Sequence, residues 1–273
     1  MIPSRSISRL TTKSNLSDKL LLVTECNGVK NIVLNSPRNR NALSFDMMNE
    51  ILANIREHKL NKNLRCIVIS ANGPVFSAGH NLKEFTAESG QELYRKTFEK
   101  ATELMLEIVQ NAVPVISKVD GLAAAAGCQL IASCDIVVAT NKSTFSTPGA
   151  NFGIFCSTPG IALARTISQK QALYMLLTGN AINAQEALKC GLISRAVDSE
   201  AQLDIEINEI CENIKSKSPK VIQNGKRFFY EQNQMTLKAA YKYGEIEMIN
   251  NIETSDGQEG IRSFIEKRKP KWE

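Results

Sequence analysis

Between Gly121 and Gln185 the chain holds one carboxylate, Asp135, and no histidine. The same region holds the stretch best suited to meeting a negative charge, Asp120-Gly121-Leu122-Ala123-Ala124-Ala125-Ala126-Gly127-Cys128-Gln129. Four alanines and a glycine carry almost no side-chain bulk, so an oxygen atom can reach the backbone. A helix that starts there offers unpaired N–H groups and the positive end of its macrodipole, and both favour an oxygen with negative charge. The expected site holds an anionic oxygen but is poor in groups that move protons.

Other candidates for chemistry are few. Of the two histidines, His58 follows a helical pattern in a charged segment and reads as a surface residue, while His80 lies in the loop Phe76-Ser77-Ala78-Gly79-His80-Asn81-Leu82. Glu84, just beyond, reads as solvent-facing, and Asp135, at a strand start, as a structural hydrogen-bonding residue. Cys156 could act as a nucleophile only beside a base or with a lowered pKa, and no base is close in sequence. Phe152, Ile154 and Phe155 read as plain core or as the lining of an apolar pocket. The seven cysteines are odd in number, scattered and free of any C-x-x-C pair. That argues against a disulfide framework and a metal site, and for a reducing compartment in which each cysteine is a small buried hydrophobe.

The elements that must position these residues follow from punctuation and period. Two short β runs, 20–25 and 29–34, meet at Asn27-Gly28, a hairpin signal. Ser44 can cap a helix whose Phe45, Met48, Leu52 and Ile55 fall at helical spacing. Strands are expected at 64–70, 115–119 and 136–139, a long helix over 91–110, and an alanine-rich helix directly after the turn at Asp120-Gly121. Thr158-Pro159 gives a cap and a first helical position, and Gly179 and Gly191 sit where helices should stop. Four helices fill 200–216, 219–231, 236–251 and 256–268. Strand–strand–helix units come first and helices alone come last, so the fold class is α/β with a helical carboxyl-terminal layer of the kind that often serves assembly.

No apolar run approaches the roughly 18–20 residues of a membrane span. The formal charge of +5 draws on Arg5, Arg9 and Lys13, which precede the first acid, Asp18, so it is not a nucleic-acid footprint. Residues 1–16 are Arg- and Ser-rich and lack the apolar core of a secretory signal, the composition of a mitochondrial transit peptide, and hence of a matrix protein, or else of a disordered leader. The expected organisation is a leader over 1–18, a core over 19–205 and a helical region over 206–273.

Taken together along the chain, Arg40-Asn41-Ala42-Leu43, Phe76-Ser77-Ala78-Gly79-His80-Asn81-Leu82-Lys83, Gly121 through Leu130, Cys134-Asp135-Ile136, Leu177-Thr178-Gly179, Gly191-Leu192-Ile193 and Phe264-Ile265-Glu266-Lys267 resemble the enoyl-CoA hydratase/isomerase (crotonase) superfamily. The resemblance implies a crotonase-like spiral of ββα units with perpendicular sheets, and a homotrimer or hexamer built through the carboxyl-terminal helices. It implies an acyl-CoA thioester as the ligand, with no other cofactor and no metal. By the same resemblance the backbone N–H groups of His80 and Ala126 form an oxyanion hole, and Ala78, His80 and Leu82 lie near the CoA adenine. Arg38 or Arg40 would meet CoA phosphates, the alternative for both being a solvent-facing loop, and Phe264 and Lys267 would reach the CoA of a neighbouring subunit. Many members carry glycine where this chain has Ala126, so any unusual backbone angle is expected to be less comfortable there.

The departure from the family lies in its proton-moving pair. Hydratases place one glutamate after the Gly-Cys pair and another after a proline in the next loop; here those positions are Gln129 and Gly149. An amide can orient a water but cannot take its proton, and glycine does neither. General acid–base catalysis contributes about 10²–10⁴-fold per group. Three readings stay open at this point: an acyl-CoA-binding protein that does no hydration, a slow or specialised enzyme that relies on the oxyanion hole, and a hydratase in which Gln129 positions water.

Overall fold

The computed structural model describes residues 19–57 and 61–273; the leader and His58 lie outside the described residues. Strands β1 (Leu21–Cys26) and β2 (Val29–Leu34) form the expected antiparallel hairpin. Asn27 and Gly28 both take positive φ, 49° and 77°, as a two-residue type I′ turn requires. Helix α1 (Phe45–Arg56) is capped by Ser44, whose hydroxyl accepts the Met47 N–H, and buries Met47, Met48, Ile51, Leu52 and Ile55.

From there the chain makes three similar passes. Each adds one strand to a large sheet, then one strand to a small sheet, then returns through helix. The passes are β3 (Cys66–Ala71), β4 (Val75–Ser77) and α2 (Gly90–Gln110); β5 (Val115–Val119), β6 (Leu122–Ala124) and α3 (Ala126–Ser133); and β7 (Ile136–Thr140), β8 (Thr144–Ser146), α4 (Ser157–Thr166) and α5 (Gln169–Thr178). Then β9 (Ile182–Asn183), α6 (Ala184–Cys190) and β10 (Arg195–Val197) close both sheets. The large sheet runs β1-β2-β3-β5-β7-β10 and is parallel beyond β1, while the small one runs β4-β6-β8-β9 with only β9 antiparallel. This is the spiral of ββα units. Gly179 and Gly191 end α5 and α6 in the left-handed region, as the sequence suggested.

A parallel sheet covered on both faces needs continuous apolar strands. In β3, Ile67 and Ile69 join the main core, while Cys66 and Val68 face a second cluster completed by Leu203, Ile207 and Cys211 of α7 (Glu200–Lys215). The remaining helices, α8 (Pro219–Gln232), α9 (Leu237–Glu253) and α10 (Ser255–Ile265), form the carboxyl-terminal layer. Their link to the body is a buried ion pair: Lys226 Nζ donates to Asp135 Oδ2 at 2.7 Å and to the carbonyls of Ile108 and Val113 at 2.9 and 3.1 Å. The Tyr230 hydroxyl donates to Asp135 Oδ1 at 2.9 Å, and the Val115 N–H to Oδ2 at 2.7 Å. Asp135 is structural, as its place at a strand start suggested. Beyond this anchor α8 and α9 bury no residue, and Phe229, Leu237, Tyr241, Ile246, Met248 and Ile249 stand exposed. Among the described residues no helix is long and apolar enough to cross a membrane.

Five expectations are corrected. The alanine run is divided, with Ala123 and Ala124 in β6 and only Ala126 in α3, because β6 finds partners in β4 and β8 that lie far off in sequence. Helix α4 starts at Ser157 rather than Pro159, which sits within the first turn, where its missing N–H is tolerated. Phe152, Ile154 and Phe155 are exposed rather than core, and Cys26 is an exposed cysteine. Glu84 does not face open solvent: its carboxylate accepts the Phe45 N–H at 3.1 Å and the Asn81 amide at 3.2 Å.

The ion pair at Asp135 yields a stability prediction. Asp135→Ala strands the buried Lys226 ammonium, and stripping one partner from a buried pair costs about 3–5 kcal/mol. The urea midpoint should fall accordingly, and Asp135→Leu combined with Lys226→Met should recover most of the loss. Urea unfolding of the two variants beside the parent measures both effects.

Candidate functional site

The site is built where the end of β4 meets the start of α3. Two glycines permit the approach. A Cβ on Gly79 would lie 2.8 Å from Ala125 Cβ and 3.1 Å from Ala126 N, and Gly79 also takes φ +92°. A Cβ on Gly127 would lie 2.6 Å from the Ser77 carbonyl oxygen. The backbones at Ser77–Gly79 and 125–127 are therefore in close contact, and Gly79, whose carbonyl belongs to the His80 peptide, lies directly beside the Ala126 nitrogen.

Both peptides are aimed by the bonds their carbonyls make. The Leu43 N–H donates to the Gly79 carbonyl at 2.8 Å. In a planar trans peptide the C=O and N–H point in opposite directions, so this bond turns the His80 N–H away from Leu43. On the other side, the Gln129 N–H donates to the Ala125 carbonyl at 2.9 Å as the first bond of α3, which turns the Ala126 N–H outward from the helix. Among the described residues neither the His80 nor the Ala126 N–H has a backbone acceptor. Two unpaired donors, one of them at a helix N-terminus, are an arrangement that can stabilise an oxygen carrying negative charge.

The strain falls on Ala125 rather than Ala126. Ala125 sits at φ 48°, ψ −117°, held by its N–H bond to the Ser146 carbonyl at 2.9 Å. A non-glycine residue in so sparse a region costs about 1–3 kcal/mol and persists only where its surroundings impose it.

The His80 side chain is a poor proton carrier. Its Nδ1 donates to the Leu43 carbonyl at 3.3 Å, and its ring meets Phe85 and Phe98 edge-on with centroids 5.7 and 5.4 Å away. Burial lowers its pKa below the usual 6.5, only partly opposed by the Leu43 bond, so the imidazole is neutral at neutral pH. Its Nε2 is buried without a partner.

Gln129 lies one turn into α3, 6% exposed, with a buried Oε1 that lacks a donor. Gly149 sits in the turn Pro148–Phe152. A Cβ there would lie 2.2 Å from the Ile154 carbonyl oxygen and 2.6 Å from Cys156 Sγ, so the packing requires glycine. Cys156 accepts the Gly149 N–H at 3.3 Å, and burial pushes its thiol up, leaving it protonated and without a base. Cys128, fully buried, is pushed up to about 12 and belongs to the core.

The remaining candidates divide by location. Ala78 is half-buried, and its N–H donates to the Arg40 carbonyl at 3.0 Å, so the Arg38–Arg40 turn borders the clamp with both guanidinium-bearing residues exposed. Leu82 stands exposed at the start of a short 3-10 turn. Phe264 (86% exposed) and Lys267 stand at the end of α10, in the carboxyl-terminal layer. Two fully buried polar residues were given no role in the sequence reading: Thr147, with an unpartnered hydroxyl, and Asn41, which stood there only as part of a family motif. No local signal marks either one, because burial there comes from distant segments.

The family model described as enoyl-CoA hydratase/isomerase matches residues 24–273. The human protein named enoyl-CoA hydratase domain-containing protein 3, mitochondrial, is 49% identical over 248 residues, 91% of this chain and 82% of that protein. A probable mitochondrial enoyl-CoA hydratase of Dictyostelium discoideum is 30% identical over 242 residues, 88% of this chain and 86% of that protein. Among solved structures, human enoyl-CoA hydratase domain-containing protein 3 superposes with TM-score 0.91 at 47% identity, covering 93% of this chain and all (100%) of that one. An enoyl-CoA hydratase of Mycobacterium smegmatis superposes with TM-score 0.90 at 39% identity, covering 93% and 99%.

Relieving the strain at Ala125 tests the geometry of the clamp. Glycine at 125 removes about 1–3 kcal/mol of backbone strain and adds back about 1 kcal/mol of chain entropy. Ala125→Gly should therefore hold or raise the unfolding free energy by about 1 kcal/mol, whereas alanine at the helical position Gly127 should lower it through collision with Ser77. Chemical unfolding of the two variants checks this opposition.

Proposed function

The chain belongs to the enoyl-CoA hydratase/isomerase family, and from that premise we propose that it binds acyl-CoA thioesters without carrying out ordinary hydration. In this reading the His80 and Ala126 N–H groups receive the thioester carbonyl oxygen. Ala78, His80 and Leu82 line the adenine end, and Arg38 and Arg40 meet the phosphates through charge-assisted hydrogen bonds. The positions at which hydratases carry glutamates are Gln129 and Gly149.

The observation that carries the reading is the crowding at Gly149. The Ile154 carbonyl and the Cys156 thiol fill the space into which any side chain at 149 would project. Gln129 cannot accept a proton, Asp135 is committed to Lys226 and Tyr230, and the His80 ring is buried and neutral. The Glu84 carboxylate on the clamp loop is committed to the Phe45 N–H and the Asn81 amide. A site with an electrophilic clamp and no uncommitted base in its own segments can hold and polarise a thioester, but it has nothing to draw a proton from water.

The exposed apolar faces of α8 and α9 support a homotrimer or hexamer, in which Phe264 and Lys267 would reach a neighbour's CoA. The mitochondrial names of the relatives, with the Arg- and Ser-rich leader, support a matrix protein of fatty-acid and lipid metabolism. A second reading, a weak or specialised enzyme of the hydratase/isomerase type, is favoured by one observation: the buried, unpartnered Gln129 Oε1 could hold a water or a substrate hydroxyl.

Titration calorimetry with butyryl-CoA, followed by steady-state hydration of crotonyl-CoA, tests the proposal. Butyryl-CoA should bind, and hydration should run at least about 10²-fold below that of a hydratase with both glutamates. Gln129→Glu should raise the rate, while Gly149→Glu should unfold the loop rather than restore activity. Turnover by the parent at the rate of a full hydratase would overturn the reading, and so would a failure to bind any acyl-CoA.

A further inference from the structure

We propose that Asn41 is a positioning residue that aims the His80 N–H through the backbone of residues 40–45; this rests on the thioester-clamp reading above. Arg40 and Asn41 take positive φ in succession, 53° and 50°, a conformation that L residues rarely sustain without support. The support is the Asn41 side chain. Its Oδ1 accepts the Ser36 N–H at 2.8 Å, and its Nδ2 donates to the carbonyls of Asn72 and Val75 at 2.9 and 2.8 Å. One end of the amide fastens its own loop and the other fastens the chain that leads into β4.

The turn so held lies along the clamp loop. The Arg40 carbonyl accepts the Ala78 N–H at 3.0 Å, and the Leu43 N–H donates to the Gly79 carbonyl at 2.8 Å. His80 Nδ1 donates to the Leu43 carbonyl at 3.3 Å, and the Phe45 N–H donates to Glu84 at 3.1 Å. Residues 40–45 thus form a splint beside residues 78–84, and Asn41 fixes its register against β4. The Leu43 bond is the one that turns the Gly79–His80 peptide. Ala78 and Gly79 have no side chain able to take over that task. Without the Asn41 amide, the splint can slide and the Gly79–His80 peptide can rock. The Ala126 donor, held by α3, stays in place.

The test reads the clamp itself and leaves turnover aside. Butyryl-CoA carrying ¹³C at the thioester carbonyl is bound at saturation, and its carbonyl stretch is recorded by infrared difference spectroscopy. In the parent protein the band should move to lower frequency than in free butyryl-CoA. In Asn41→Ala, and in Asn41→Gly, which tolerates the positive φ and so guards against simple misfolding, about half of that shift or less should remain, since one of two donors is released. Ile207→Ala, which empties space in the separate cluster beneath α7, should lose stability yet keep the full shift. Retention of the full shift by both Asn41 variants overturns the proposal while leaving the clamp reading intact. Butyryl-CoA bound to the parent with no shift, or not bound at all, overturns the clamp reading and the proposal with it.

Discussion

The rigidity of two peptide planes governs this site. Each plane offers its N–H because its carbonyl is already taken: the Gly79 carbonyl by Leu43, the Ala125 carbonyl by Gln129. The bonds that aim both donors are thus backbone bonds, and on the His80 side the Asn41 amide holds the segment that makes the bond. What the side chains at the contact itself contribute is absence. Gly79 and Gly127 let two backbones touch, and small residues on either side keep the approach open. The spiral of ββα units serves this contact, because each pass delivers one strand to the small sheet and lays the next helix start against the strand before it. The strained Ala125 is the junction at which β6 becomes α3, and its N–H bond to Ser146 ties the junction to the third strand of that sheet.

Much of this was legible in the residues, and the parts that were not share a cause. Asn27-Gly28, Ser44, Gly179 and Gly191 announce their turns and caps because the physics of each is local. The alanine run carries no period, so nothing in it reveals that its first two alanines, with Leu122, pair as a strand with residues more than twenty positions away. Glu84 looked solvent-facing and Asn41 had no assigned role, yet each is committed across more than thirty residues of chain. Gly149 could be read as a missing carboxylate, but not as a position that the Ile154 backbone has closed. Composition marks what a residue can do; long-range packing decides whether it is free to do it.

Electrostatics divides the molecule in the same way. The single carboxylate between Gly121 and Gln185, Asp135, is drawn off to a buried lysine and serves as the anchor for the carboxyl-terminal layer. Beyond that anchor the layer exposes apolar surface on α8 and α9, the opposite of what an isolated protomer would favour. The clamp keeps its donors while the His80 imidazole is buried and neutral, the Gln129 amide is buried and the Glu84 carboxylate is committed to the Phe45 N–H and the Asn81 amide. Such surroundings have low local dielectric, in which two oriented N–H dipoles act most strongly on a developing negative charge.

The central claim, that these two dipoles stabilise negative charge on a thioester oxygen, is tested most directly by the enolisation of bound acetoacetyl-CoA, followed through the ultraviolet absorbance of its enolate as pH is varied. The account predicts that binding lowers the enolisation pKa by at least about one unit, equivalent to about 1.4 kcal/mol. An enolisation pKa that is unchanged at saturating protein would contradict it.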